Sequence, residues 1–547
     1  MAAELPIPVF TSLDQALPDL KTAAAELIRY TNLVDEYTQR FGHKPTYIAR
    51  APGRVNLIGE HIDYVLFGAF PAAVERDILI ACGPSVSSAS PPEPSSPGSV
   101  NAHNLDAKYA PQAFAPMLKN AGPTDVEKAD ADATVHAESA WHLDINTREL
   151  RWESYVKAGY YGVLNHFFSQ PGQNGHPVPV DLLFTGSVPS GSGLSSSAAM
   201  VVASTLAFLA VNEKVNGLTK GKLVEMAMEN EKRAGVNSGG LDQAASVICT
   251  PHSAIYVTFF PSLAAEPIPL PTPRTTPKAV FVCANSLVVS DKLVSAKYHY
   301  NLRVVETLVG ARVLARRLGI SLTDSERPTF RVILARWLGT DEANFSVEHL
   351  KAGIERFLPE VEKLRPAREG HEAGEEGVTM AEMIEWSGLS PEQFNQVYLS
   401  WVEVEATYFQ LYKRARHVFA EALRVLEFRD VCLRAQDEFV PEDTLAALGA
   451  LMDASHESCS TLYDCSCPEV DVLVRIAKDA GAYGSRVTGA GWGGCTVSLV
   501  AEDKVEEFIG KVKAQYAPYK DLTEEKLREA IFATKPSAGA FILKLDD

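Results

Sequence analysis

The sequence predicts an α+β fold divided into two lobes, and three observations predict it. The 547 residues exceed what one hydrophobic core usually organises, because chains longer than about 250–300 residues divide. Up to about Ser246, short apolar runs of strand length are mixed with longer helical ones. A second block then opens on the strand signal "KAVFVCANSLVVS" (Lys278–Ser290) and a long helix, "YNLRVVETLVGARVLARRLG" (Tyr300–Gly319). It stays mostly helical until "CTVSLV" (Cys495–Val500) returns to a strand. The expected lobes are residues 1–250 and 251–547. No internal repeat is evident.

Bulk composition excludes several classes. The chain is 46% hydrophobic and 22% charged, as expected of a globular domain with a sizeable core. Its net charge of −18 argues against nucleic acid and anionic membrane as partners. An anionic ligand would need helix ends, local cations or a metal ion to offset that field. The opening "MAAELPIPVF" has no basic, apolar leader pattern. The apolar run Ala198–Val211 has fourteen residues, short of the ~20 that span a bilayer. Eight cysteines include several inside apolar strands, where cysteine acts as a small hydrophobe. Cys459, Cys465 and Cys467 with His456 lack the paired CxxC of a zinc site. These features fit a reducing, cytoplasmic compartment.

Taken in chain order, four stretches carry polar groups where propensity gives no reason for them. In "APGRVNLIGEHIDY" (Ala51–Tyr64) an apolar strand is flanked by Arg54 and by Glu60, His61 and Asp63. That set of acceptors and donors suits a hydroxyl-rich ligand such as a sugar; a surface turn is one alternative, and a zinc site from His61 and the carboxylates is another, which the single histidine disfavours. In "GSVPSGSGLSSSAAM" (Gly186–Met200) a small-residue turn joins the strand "VPVDLLF" (Val178–Phe184) to the helix Ala198–Val211. Such a turn either cradles an anion at the helix N-terminus or is only a tight connection. In "AGVNSGGLDQAAS" (Ala234–Ser246) glycines place Asp242 at the start of a helix, as a working carboxylate or as a cap. "RVTGAGWGGCTVSLV" (Arg486–Val500) is a glycine-rich hairpin suited to close backbone approach. "PSVSSASPPEPSSPGS" (Pro84–Ser99) and "PAREGHEAGEEGV" (Pro366–Val378) are expected to be surface loops.

In this order the four stretches resemble the galactokinase branch of the GHMP kinases. "GRVNLIGEHIDY" is similar to the family's sugar signature, "GSGLSSSAA" to its phosphate motif and "GAGWGGCTV" to its third motif. "VNSGGLDQAAS" is similar to the segment carrying its aspartate. "SLVVSDK", "YNLRVVE" and "DCSCPE" resemble the fungal members. With no GK[ST], the phosphate motif is not a P-loop.

The resemblance implies a two-lobed GHMP kinase fold. Its N-lobe would be similar to the second domain of ribosomal protein S5, and its C-lobe ferredoxin-like, with the site between them. It implies ATP, with Gly191, Gly193, Ser195 and Ser196 at the phosphates and Ser290, Asp291 and Lys292 at the nucleotide. Mg²⁺ would take Ser197 and Glu231, with Glu229 as the alternative carboxylate. Galactose would meet Arg54, Glu60, His61, Asp63, Ser238, Asp242 and Tyr300. Asp242 would serve as base to the anomeric hydroxyl, and Arg54 would stabilise developing charge. Two relatives stay open: an N-acetylgalactosamine kinase, against which Tyr300 and "GVNSGG" speak, and a galactose- and ATP-binding transcriptional sensor with a regulatory protein partner. The complete "GLSSSAA" favours an active kinase. A mevalonate- or homoserine-type kinase would lack "GEHIDY".

Overall fold

Two sheets organise the chain in the computed structural model, which describes residues 2–17, 20–86, 96–118, 141–146, 151–169, 175–235, 239–271, 278–289, 295–339, 345–366, 377–435 and 443–545. The larger runs in the order Val9–Phe10, Phe541–Lys544, Tyr47–Ile58, Phe70–Pro84, Val180–Gly186, Val100–Asn104 and Gln112–Phe114. Its pairs are antiparallel except Val9–Phe10 with Phe541–Lys544 and Val100–Asn104 with Val180–Gly186. The smaller, wholly antiparallel sheet runs Gly484–Thr488, Cys495–Ala501, Ala279–Asn285 and Ile531–Thr534.

The strand Tyr47–Ile58 is buried from Ile48 to its end, because helices cover both faces of its sheet. On one face Leu33 and Tyr37 of the helix Leu20–Phe41 meet Ile48, Leu79, Ala81 and Leu183. On the other, Ala49, Ala51, Ile80 and Phe184 meet the helices Trp152–Phe167 and Ser196–Val211. A sheet covered twice needs apolar residues at successive positions, which removes the alternation of a half-exposed strand. The two helices touch closely at Gly159, where a Cβ would fall 2.8 Å from the Val201 carbonyl.

The chain does not divide cleanly by position. Its last strand, Phe541–Lys544, returns from the smaller sheet to sit between Val9–Phe10 and Tyr47–Ile58. The hairpin Ser253–Thr258 with Ala264–Pro269 leans on the larger sheet through a bridge between Val257 and Ala69. We therefore propose residues 1–250 and 251–547 as lobes with that final strand exchanged. Most of the two expected surface loops, 87–95 and 367–376, lies outside the described residues. Among the described residues no helix is long and apolar enough to cross a membrane.

Candidate active site

A cleft forms where the serine–glycine loop meets the glycine-rich hairpin, and the contact is backbone on backbone. A Cβ on Gly489 would fall 2.4 Å from the Gly193 carbonyl, and one on Gly193 would fall 2.9 Å from the Thr488 carbonyl. Both residues have left-handed φ, +88° and +79°. The hairpin's glycines thus serve close approach to another loop. Ser195, also left-handed at φ 58°, precedes the helix Ser196–Val211 without a side-chain cap. Its Oγ is buried and has no hydrogen-bond partner among the described residues. The first N–H groups of such a helix have no intrahelical acceptor. Gly191, Gly193, Ser195, Ser196 and Ser197 line this side of the cleft.

Arg54, Glu60, His61, Asp63, Asp242 and Tyr300 line the rest, with Trp492 and His299 stacked on each other at 4.7 Å. The pairing of Tyr47–Ile58 with Phe70–Pro84 slips between Pro52 and Arg54. Proline has no N–H to keep the ladder regular, and such bulges re-aim side chains. Beyond the slip, the Arg54 N–H donates to the Leu194 carbonyl at 3.1 Å. Its guanidinium donates from Nε and Nη2 to Asp242 Oδ1 (2.8 and 2.6 Å) and from Nη1 to the Gly193 carbonyl (2.7 Å). One buried arginine ties the aspartate to the serine–glycine loop. Asp242 is the second residue of the helix Leu241–Ile248, whose cap is Gly240 at φ 101°. It is not an N-cap, which removes the alternative reading of that residue.

Glu231 is buried at the end of the helix Lys220–Glu231, where Gln243 Nε2 donates to its Oε2, and unlike Ser197 it does not line the cleft. Glu229, on the same helix, is exposed. Ser238, Ser290, Asp291 and Lys292 lie outside the described residues.

The galactokinase galactose-binding signature matches residues 35–84, the GHMP kinase N-terminal domain 154–249 and the GHMP kinase C-terminal domain 438–518. The chain is 34% identical to the galactokinase of Dictyostelium discoideum, over 98% of each chain. It is 34% identical to that of Saccharomyces cerevisiae, over 97% of this chain and 98% of the other. The chain belongs to the galactokinase family of GHMP kinases. Its fold is similar to that of Lactococcus lactis galactokinase complexed with galactose, with TM-score 0.58 and 22% identity, over 93% of this chain and 99% of the other.

Within this galactokinase-family fold, burial sets the charges of the signature residues. It pushes the Glu60 carboxyl up to about 7, against the pull of Arg486 and Arg54. Burial and the neighbouring Asp242 raise Asp63 to about 6. Burial lowers His61 to about 3, so its ring is neutral. Its Nε2–H donates to the Ala490 carbonyl (2.9 Å), leaving Nδ1 to accept from the Tyr64 hydroxyl (3.2 Å). Because the folded state holds the Glu60 proton above the ordinary carboxyl range, that group's contribution to stability is lost as pH rises from about 4.5 to about 7. Glu60→Gln does not titrate. Its melting temperature relative to the parent should therefore rise between pH 5 and pH 8, read by scanning fluorimetry at each pH. A constant difference would show that Glu60 does not titrate in this window.

Sequence reasoning passed over a buried ionic cluster behind the signature. Arg486, on the strand Gly484–Thr488, is fully buried. It meets Glu60 Oε2 at 3.1 Å and donates to the Asn56 carbonyl at 2.8 Å and to Ser455 Oγ at 3.1 Å. Glu421, on the helix Leu411–Arg434, is equally buried. Burial opposes its charge, but Arg424 and Arg486 outweigh it and hold its carboxyl at about 2. The available signal was spacing. His417 and Glu421 share a helix face with Val418, Ala422 and Val425, all buried, so they are ionisable groups on a core stripe.

Proposed function

We propose that this chain is a galactokinase, transferring the γ-phosphoryl group of ATP to the anomeric hydroxyl of α-D-galactose to give galactose 1-phosphate. The observation that carries the reading is Arg54, bonded at once to Asp242 and to the carbonyl of Gly193 in the serine–glycine loop. Sugar signature, candidate base and candidate phosphate loop thus converge on one guanidinium.

In this reading the backbone N–H groups from Gly191 to Ser197 and the helix start receive the phosphates, and the Ser195 Oγ, unpartnered among the described residues, gains a partner there. Glu60 and Asp63 hold the sugar hydroxyls, and neutral His61, whose ring nitrogens are hydrogen-bonded to Ala490 and Tyr64, lines the cleft beside them. Asp242 orients the anomeric hydroxyl and accepts its proton as oxygen attacks phosphorus in line. Arg54 offsets the negative charge that develops. Ser197 and Glu231 would offer a hydroxyl and a carboxylate oxygen, donors of the hard type that Mg²⁺ takes. Bound there, Mg²⁺ would neutralise phosphate charge. The protein is proposed to act in the cytoplasm.

ATP consumption measured across galactose, N-acetylgalactosamine, glucose and mevalonate tests the reading. Turnover with galactose alone is the expected result. Preference for N-acetylgalactosamine, or no turnover with any of them, would overturn it. Ser196→Asp separates the two substrates. A carboxylate in the first helical turn suits the helix dipole, so the variant should fold. It would nevertheless repel phosphate. Like charges about 4 Å apart interact by about 4 kcal/mol at an effective dielectric near 20, so ATP affinity should fall by up to about a thousandfold, with galactose affinity retained. Titration calorimetry with each ligand decides this, and equal losses would make the loop a shared structural turn.

A further inference from the structure

The turn that carries Glu60 and His61 is held from the other half of the chain. Gly59 and His61 both have left-handed φ, +106° and +60°, and for histidine that conformation persists only where its surroundings over-determine it. Two buried side chains supply the restraint. Glu421 Oε1 accepts from the N–H of Gly59 (2.9 Å) and the N–H of Glu60 (3.2 Å). His417 Nε2 lies 3.0 Å from the Glu60 carbonyl. A carbonyl can only accept, so Nε2 carries the proton, and Nδ1 accepts from Ser458 Oγ at 2.8 Å. His417 and Glu421 are four residues apart on the helix Leu411–Arg434, hence on one face. Together they hold the backbone on both sides of the Glu60 Cα, one at its N–H and the other at its C=O.

We propose that His417 and Glu421 are positioning residues that set sugar affinity by fixing the backbone of Glu60 and His61. This rests on the reading of the cleft as a galactose site. Each fixed point is independently anchored. Glu421 also receives Ser455 Oγ (2.6 Å) on Oε1 and Arg424 Nε (2.9 Å) on Oε2, so its carboxylate cannot swing away. The His417 ring lies 4.4 Å from that of Tyr463. Neither residue lines the cleft, so each acts through the peptide it holds. Freed of either bond, the turn can relax from its left-handed conformations, and the Glu60 carboxyl and the His61 ring move away from the sugar.

The test compares Glu421→Ala, Glu421→Gln and His417→Phe with the parent, by galactose calorimetry and steady-state kinetics with ATP. Loss of one hydrogen bond from a charged group costs about tenfold or more in affinity. Glu421→Ala should therefore weaken galactose binding by about tenfold or more, with the KM for ATP unchanged. Glu421→Gln, which retains an acceptor for the two N–H groups, should recover most of the loss. His417→Phe keeps the ring packing but loses the donor, and should raise the galactose KM with a smaller change in kcat. If Glu421→Ala does not fold, the other two variants decide. A parent that binds no galactose would overturn the functional reading. A parent that binds, with folded variants binding equally well, would overturn the positioning role. So would equal losses of affinity for galactose and ATP, which mark general damage.

Discussion

Asp242→Asn should fold, bind galactose and ATP, and turn over about 10²–10⁴-fold more slowly, the range for removal of a general base. The geometry makes this a clean substitution. Both bonds from Arg54 go to Oδ1, which an amide oxygen can replace in place. Asparagine can still bond a sugar hydroxyl through its other end, but it cannot take up the proton. A capping role does not compete, because Gly240 caps the helix. Single-turnover kinetics with saturating galactose and ATP isolate the chemical step. Near-normal turnover would sink Asp242 as the base while leaving the family assignment intact. A loss confined to galactose affinity would make Asp242 a binding residue and move the weight of charge stabilisation to Arg54.

Arg486→Met should be the most destabilising single change in the site's surroundings, by about 3–5 kcal/mol, the usual cost of removing one partner of a buried ion pair. Methionine fills much of the volume, so the loss comes from charge and hydrogen bonding. Glu60 and Glu421 both lean on this guanidinium (3.1 and 3.9 Å), and the Asn56 carbonyl would lose its 2.8 Å donor. Denaturant unfolding gives the loss. Adding Glu60→Gln to Arg486→Met should recover part of it, since one of the two stranded carboxylates disappears. Full additivity of the two changes would show that Glu60 and Arg486 do not interact.

The elements of the fold follow closely from local pattern. The strand expected at Val178–Phe184 is Val180–Gly186, and the helix expected at Ala198–Val211 is Ser196–Val211. Runs that are apolar throughout leave few alternatives once strand or helix length is set. The four motifs were legible for a related reason: glycines, serines and carboxylates at those spacings serve neither helix nor strand, so they stand out against propensity. The sequence left open what the glycine-rich hairpin approaches and whether Asp242 is a cap. Only the tertiary structure decided these, by seating Gly489 on Gly193 and placing Gly240 ahead of the helix.

The ionic cluster was hidden more deeply. Arg486, Glu421 and His417 are spread over two elements of the chain's second half, yet they converge on a turn at Gly59–His61. Local sequence determines which residues are helical, extended or turned, because those preferences act over a few neighbours. A buried charge acquires its meaning from a partner hundreds of residues away, since only burial in a low-dielectric interior makes that partner necessary.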